Sequence, residues 1–206
     1  MGNREDLLAG AKRCLLEKGY GRTTARDIAS AAGVSLAAIG YHYGSKDALL
    51  TEALMAAMAE WGDELGRVLG APDTGADPQE RFVAAWDRVL QSFTEHRGLW
   101  RVQFEILAQV EHSPELRQIL GPAQKEARLG LSAMFQGLPE VPDTPEELTR
   151  GAFYQALLAG LAAQWALAPE SAPDGATFLR GLQMVGGAVL PGVAAGPAGA
   201  APGVPG

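Results

Sequence analysis

The sequence offers little to redox or metal chemistry. Its one cysteine, Cys14, cannot close a disulfide within the chain. Its three histidines stand far apart, at His42, His96 and His112, without the local spacing that a metal site needs. Long apolar runs are also missing. The closest, Ala152 to Ala168, is interrupted by Tyr154, Gln155 and Gln164, so no transmembrane span is expected. The opening Met1-Gly2-Asn3-Arg4-Glu5-Asp6 has no apolar core of a secretory signal. Asp6 stands where a myristoylation pattern needs Ser or Thr. These absences point to a reducing, cytoplasmic setting and no membrane partner. No Ser/His/Asp, Cys/His or paired-carboxylate set has supportive spacing, and no glycine loop suits a phosphate. The expectation is therefore no enzyme, no metal and no cofactor. Sustained alternation of β-branched residues is absent too, which argues against a sheet.

What is present is an Ala- and Leu-rich chain of 206 residues, 47% apolar and 20% charged. That length suggests one or two domains that bury enough surface to fold unaided. The fold class expected is all-α, with about nine helices. Asn3 can cap a helix over about 4–18, in which Leu7, Leu8, Ala11, Cys14 and Leu15 recur at spacings of three and four. Thr24 and Asp27 form a box-like start for a second helix that ends at Gly33. Ser35 should cap a short third helix, and Ser45 a fourth running to about Leu69. After a Gly/Pro/Asp loop at 70–77, further helices are expected over about 78–96, 98–111 and from Pro114 to about Phe135. The last of these should kink or break at Gly121-Pro122. Thr144-Pro145-Glu146-Glu147 is a strong start for a helix to about Leu167, and Asp174 can cap a final helix that stops before Pro191. Residues 191–206 hold only Pro, Gly, Ala and Val, the composition of a disordered tail.

Charge is uneven. Residues 1–50 carry seven Lys/Arg against five Asp/Glu, net +2, whereas the remainder carries ten against nineteen, net −9. A mildly basic head on an acidic body suits a polyanion partner. The head also holds the informative window, Ala25 to Gly44. Two short helices meet there at Gly33, which can take positive φ. Ala29 is small where they cross, and Ile28, Val34 and Ile39 pin the second helix to its neighbours. This is the pattern of a helix-turn-helix, whose second helix enters the DNA major groove.

Residues 7–50 resemble the DNA-binding domain of the TetR family of bacterial transcriptional regulators. The matching residues are Leu7-Leu8, Ala11, Gly19-Tyr20, Thr23-Thr24, Asp27-Ile28-Ala29, Ala32-Gly33-Val34-Ser35, Tyr43 and Ser45-Lys46 followed by Leu49-Leu50. The resemblance implies a three-helix DNA-binding domain at 1–50 and a helical effector-binding and dimerisation bundle at 51–190. It implies a homodimer on a palindromic double-stranded operator, released by a small-molecule effector, as repressors of this family are. By position, Thr24 and Lys46 should meet phosphates and Arg26 a base edge. Ser35, Leu36, Ala37 and Ala38 form the leading end of the recognition helix, and Tyr41 and His42 lie near backbone and bases. Gly40 departs from the family, most members of which have Tyr there to contact a phosphate. Either Gly40 permits closer backbone approach or a longer reach by Tyr41, or it merely ends a short helix.

The body carries no motif. Trp86, Trp100, Phe104 and Trp165 could line an apolar cavity, and Gln103, set among Leu99, Leu107 and Val110, could offer a ligand an amide. An apolar or aromatic effector would suit such a lining. Arg101, Glu105 and Gln109 fall on one stripe, read as a solvated edge. His96 and His112 read as solvated residues at helix ends, and Cys14 as a buried, inert thiol. Small residues on the last two helices, among them Ala152, Ala156, Gly160, Gly181 and Gly186, suit close packing of a two-fold four-helix interface. The alternative is a helical small-molecule-binding or enzymatic protein whose head no longer reads DNA. Gly40 favours that reading, whereas Thr24, Arg26, Ser35 and Lys46 oppose it.

Overall fold

The computed structural model describes residues 3–69 and 77–189. The expected tail at 191–206 and most of the loop at 70–77 lie outside the described residues. Nine α-helices and one 3₁₀ turn are formed among those described: α1 Asn3–Lys18, α2 Ala25–Ala32, α3 Ala37–Tyr43, α4 Lys46–Leu69, α5 Pro78–Glu95, α6 Arg97–Val110, α7 Pro114–Gln136, α8 Pro145–Leu167, the turn Pro169–Ser171, and α9 Gly175–Val189.

Local chemistry sets most of these boundaries. At α2, the Thr24 hydroxyl accepts the Asp27 amide at 3.1 Å while the Asp27 carboxylate accepts the Thr24 amide at 2.9 Å, a closed capping box. Gly33 ends the helix at φ 67°, a left-handed conformation that favours glycine. Ser45 caps α4 through the Ala48 amide at 3.0 Å, and Asp174 caps α9 through the Thr177 amide at 2.8 Å. Thr144 caps α8, with Pro145 in its first turn.

Two expectations fail. Ser35 does not cap α3 with its side chain. The Ser35 and Leu36 carbonyls instead accept the Ala38 and Ile39 amides, so the helix begins as a tight turn closed by backbone alone. And α7, expected to kink or break at Gly121-Pro122, is not broken there. It runs unbroken from Pro114 to Gln136 with Pro122 inside it. Packing of α7 against α4 and α8 outweighs the local penalty of a proline.

One core runs through the molecule. Leu7, Leu15, Ile28, Leu49 and Leu50 are fully enclosed among α1–α4 and continue through Leu54 and Trp61 of α4 into Trp86, Phe93, Val102 and Leu161 of α5, α6 and α8. Each such side chain contributes about 1.5–3 kcal/mol of burial. The helix α4 is continuous through residue 50 and belongs to both ends of this core. Cys14 is buried, and burial pushes its thiol pKa up, so it stays an unreactive thiol.

Candidate functional site

The outer face of α3 is open to solvent. Leu36 is 49% exposed and Tyr41 86%, both large side chains left open in part or almost wholly by the described residues. Ser35, Ala37 and Gly40 are exposed beside them, and Ala38 and His42 are half-buried. The inner face holds Ile39, which is buried against the core. The rings of Tyr41 and His42 meet edge to face at 4.8 Å. This arrangement presents a short helix whose apolar leading end and aromatic trailing end are both available to a groove.

Gly40 lies inside α3, which continues to Tyr43 and closes at Gly44. The reading that Gly40 ends the helix is therefore set aside. A Cβ built at Gly40 would meet nothing within 4 Å, so the glycine serves no packing within the chain. What remains is a flat spot on the outer face.

The basic residues of the head divide by employment. Arg4 pairs with Glu52 at 2.7 Å and lies over the Tyr43 ring. Lys12 pairs with Glu60 at 2.6 Å, and Arg13 donates to the Ala31 carbonyl at 2.5 Å. Lys18 pairs with Asp27 at 2.5 Å, and Arg22 donates to the Lys18 carbonyl at 2.8 Å. The Lys18 ammonium and the Thr24 hydroxyl and amide hold Asp27 well below the usual carboxylate range. Four of these cations tie α1 to α2 or α4, and Arg22 closes the following turn back onto α1. Arg26 is exposed and makes none of these ties, which leaves it free to reach outward. Thr24 spends its hydroxyl on the capping box, donating to the Asp27 carboxylate at 2.6 Å. A phosphate would have to share it.

Lys46 is drawn inward. Its ammonium sits 3.4 Å from the Thr23 carbonyl and 3.4 Å from Asp47, 5.8 Å from the centre of the Tyr20 ring. It starts α4, where the helix dipole also favours an anion.

Glu105 overturns the expectation of a solvated edge. It is half-buried, and its carboxylate accepts the Tyr20 amide at 2.6 Å. Arg101 donates to the Leu16 carbonyl at 2.8 Å and the Glu17 carbonyl at 3.2 Å, at the end of α1. Sequence reasoning missed both because their partners lie about 85 positions away. A glycine opening α6, Gly98, was the one available signal of a close approach.

In the body, the five ligand candidates fall on three helices, Trp86 on α5, Trp100, Gln103 and Phe104 on α6, and Trp165 on α8. Trp86 is enclosed by Phe82, Phe135 and Phe178, with ring centres 4.6–6.0 Å away. Trp100 and Trp165 both meet Phe93, at 4.7 and 5.9 Å, and Trp100 meets Trp61 at 5.2 Å. Gln103 and Phe104 are half-buried on α6. The indole N–H groups of Trp86 and Trp100 are buried with no acceptor among the described residues. A cleft of about 190 Å³ lies elsewhere, between α4 and α5, lined by Trp61, Glu64, Arg88, Glu95 and His96 among others. In it His96 is 3.4 Å from Glu64 and half-buried rather than freely solvated.

Known proteins share this architecture. Residues 7–53 match the family described as bacterial regulatory proteins, tetR family, and residues 78–180 match the C-terminal domain of BetI-type transcriptional repressors. The HTH-type transcriptional regulator BetI of Stenotrophomonas maltophilia is 26% identical over 155 residues, covering 66% of this chain and 78% of the relative. The crystal structure of a transcriptional regulator from Rhodococcus sp. Rha1 is 28% identical, with a TM-score of 0.57 over 92% of this chain and 96% of that one. A regulator from Saccharomonospora viridis, solved in complex with choline, has the same fold at 24% identity and a TM-score of 0.55, over 89% of this chain and 94% of that one. An all-helical architecture, an open recognition helix and family matches over both ends of the chain lead to one conclusion: the protein belongs to the TetR family of helix-turn-helix transcriptional regulators.

Proposed function

We propose that the protein is a ligand-responsive repressor that binds a palindromic operator as a homodimer and leaves it when a small, largely apolar effector enters the body. Residues 1–50 act as the head and residues 51–190 as the effector-binding and dimerisation body, in a cytoplasmic setting. The observation that carries this reading is the outer face of α3, open along Leu36, Ala37, Gly40 and Tyr41, with the unengaged Arg26 exposed on α2.

The readout divides by chemistry. Leu36, Ala37 and Ala38 cannot hydrogen-bond a base through their side chains, but they can pack on thymine methyls. Arg26 is the best donor to guanine O6 and N7, with Ser35, Tyr41 and His42 as further polar contacts. Thr24 and Lys46 hold phosphates and fix the register.

Two features support an effector in the body. Buried, unpaired Trp86 and Trp100 N–H groups on α5 and α6 are donors that a ligand could satisfy. The choline complex of the Saccharomonospora viridis relative shows that this fold can hold a small molecule. Any such effector must favour the conformation that misplaces the heads, and operator DNA must then lower effector affinity by the same factor.

Selection of bound duplexes from random DNA tests the reading. The expected result is a two-fold symmetric motif with thymines facing α3 and a guanine near Arg26. Recovery of no sequence above background overturns operator binding. Repeating the binding with small aromatic compounds then finds effectors by loss of the complex.

A further inference from the structure

We propose that Glu105 of α6 is a positioning residue for DNA binding: through Tyr20 and Asp47 it sets whether the Lys46 ammonium is free to take a phosphate. The inference rests on the reading of Lys46 as a phosphate contact.

The chain of contacts is short. The Glu105 carboxylate accepts the Tyr20 amide at 2.6 Å. The Tyr20 hydroxyl donates to the Asp47 carboxylate at 3.1 Å, on the same Oδ1 that stands 3.4 Å from the Lys46 ammonium. Lys46 also lies over the Tyr20 ring and reaches the Thr23 carbonyl, both in the turn that Glu105 holds. The turn and Asp47 thus offer Lys46 three internal partners: a carboxylate, a carbonyl and a ring face. A phosphate must compete with all three.

The docking of α6 on the head is close enough to transmit small movements. A Cβ on Gly98 would stand 2.6 Å from the Leu16 carbonyl oxygen, so the start of α6 touches the end of the α1 backbone. Arg101 fixes the same end of α1 and lies 3.8 Å from Glu105. Beside this joint a cleft of about 100 Å³ is bounded by Tyr20 and Asp47 from the head and by Gln109, Ser113 and Leu116 from the body. It gives the Tyr20 turn room to shift.

The direction follows from the charges. While Glu105 holds the turn, the Tyr20 hydroxyl occupies Asp47 and weakens its grip on Lys46. If α6 moves away, the Thr23 carbonyl and the Tyr20 ring leave the ammonium together with the turn, and Asp47, relieved of the Tyr20 hydroxyl, claims it in a charge-assisted pair stronger than the two neutral contacts it replaces. The phosphate contact is then lost without any change in α3.

Operator titrations on the duplex recovered by selection test this. Glu105→Ala is expected to weaken binding about tenfold, and Glu105→Gln, which keeps an acceptor for the Tyr20 amide, much less. In a Lys46→Met background Glu105→Ala is expected to cost nothing further. Tyr20→Phe, which keeps the ring in the core, is expected to weaken binding in the same way, and Asp47→Asn added to it is expected to restore binding by removing the competing charge. Equal losses from Glu105→Ala with and without Lys46 overturn the proposal, as does failure of Asp47→Asn to rescue Tyr20→Phe. If Lys46→Met leaves both the affinity and the salt dependence of the wild type unchanged, the phosphate reading of Lys46 falls, and the proposal falls with it.

Discussion

A single carboxylate shows how much one residue can organise in the head. Asp27 closes the capping box of α2 and pairs with Lys18 at the end of α1. Its pKa is depressed from the ordinary 3.8. A depressed folded pKa gives stability that is present above the unfolded value and lost as pH falls through the folded one. In urea unfolding, Asp27→Ala should therefore be less stable than the wild type at pH 7, and the gap should shrink steadily below about pH 4. A gap that stays constant down to pH 2 would deny Asp27 this role. The capping box was legible because its partners are three residues apart. Glu105 was not, because a stripe on one helix says nothing about which distant backbone it meets. The same separation applies to base readout. The apolar run Leu36-Ala37-Ala38 is plain in the sequence, and the structure leaves Leu36 and Ala37 exposed with Ala38 half-buried beside them. If those residues read thymine methyls, replacing the facing thymines by deoxyuridine, which removes only the methyl, should weaken binding by about 0.8 kcal/mol per position. Undiminished binding to the deoxyuridine duplex would shift specificity to Tyr41, His42 or DNA shape.

At the scale of elements, helix starts were legible and helix interiors less so. Ser, Thr and Asp caps act within one turn, so Thr24, Ser45, Thr144 and Asp174 reveal themselves. Pro122 and Gly151 depend instead on what lies across from them. Pro122 is exposed inside the continuous α7, where a proline removes one hydrogen bond and costs a helix about 3 kcal/mol. Pro122→Ala should raise stability by about 1–3 kcal/mol in urea unfolding. Gly151 looks like a weak helix residue, yet a Cβ there would fall 1.9 Å from the Arg128 carbonyl oxygen. It is the point where α7 and α8 touch backbone to backbone. Gly151→Ala, which improves intrinsic propensity, should nevertheless destabilise by about 1–3 kcal/mol through overpacking. Opposite signs for these two alanines would show that tertiary contact, not propensity, governs this pair of helices. If Gly151→Ala stabilises, the close approach is wrong.

The whole molecule leaves one large surface unaccounted for. On α9, Met184 is 76% exposed, Val185 63% and Val189 68%, and Phe153 of α8 is half-exposed. Ala156, Ala159 and Gly160 of α8 are exposed as well. A monomer that kept these faces wet would carry an apolar patch of the kind that marks an interface. A second copy of the chain would cover it by bringing α8 and α9 against their equivalents around a two-fold axis. The small residues allow the backbones to approach, and the apolar ones supply the burial. The expected species in light scattering at micromolar concentration is therefore a dimer. Met184→Asp with Val185→Asp should convert it to a monomer without loss of helix, because both side chains point away from the core. DNA binding then tests the consequence. Two linked heads convert the second half-site contact into an intramolecular event, an advantage of roughly 10²–10⁴ in affinity. The monomeric variant should lose about that much on the full operator while binding an isolated half-site as well as the wild type does. A wild type that scatters as a monomer, or a monomeric variant that holds the full operator undiminished, would remove dimerisation from the account of how so acidic a body stays on DNA.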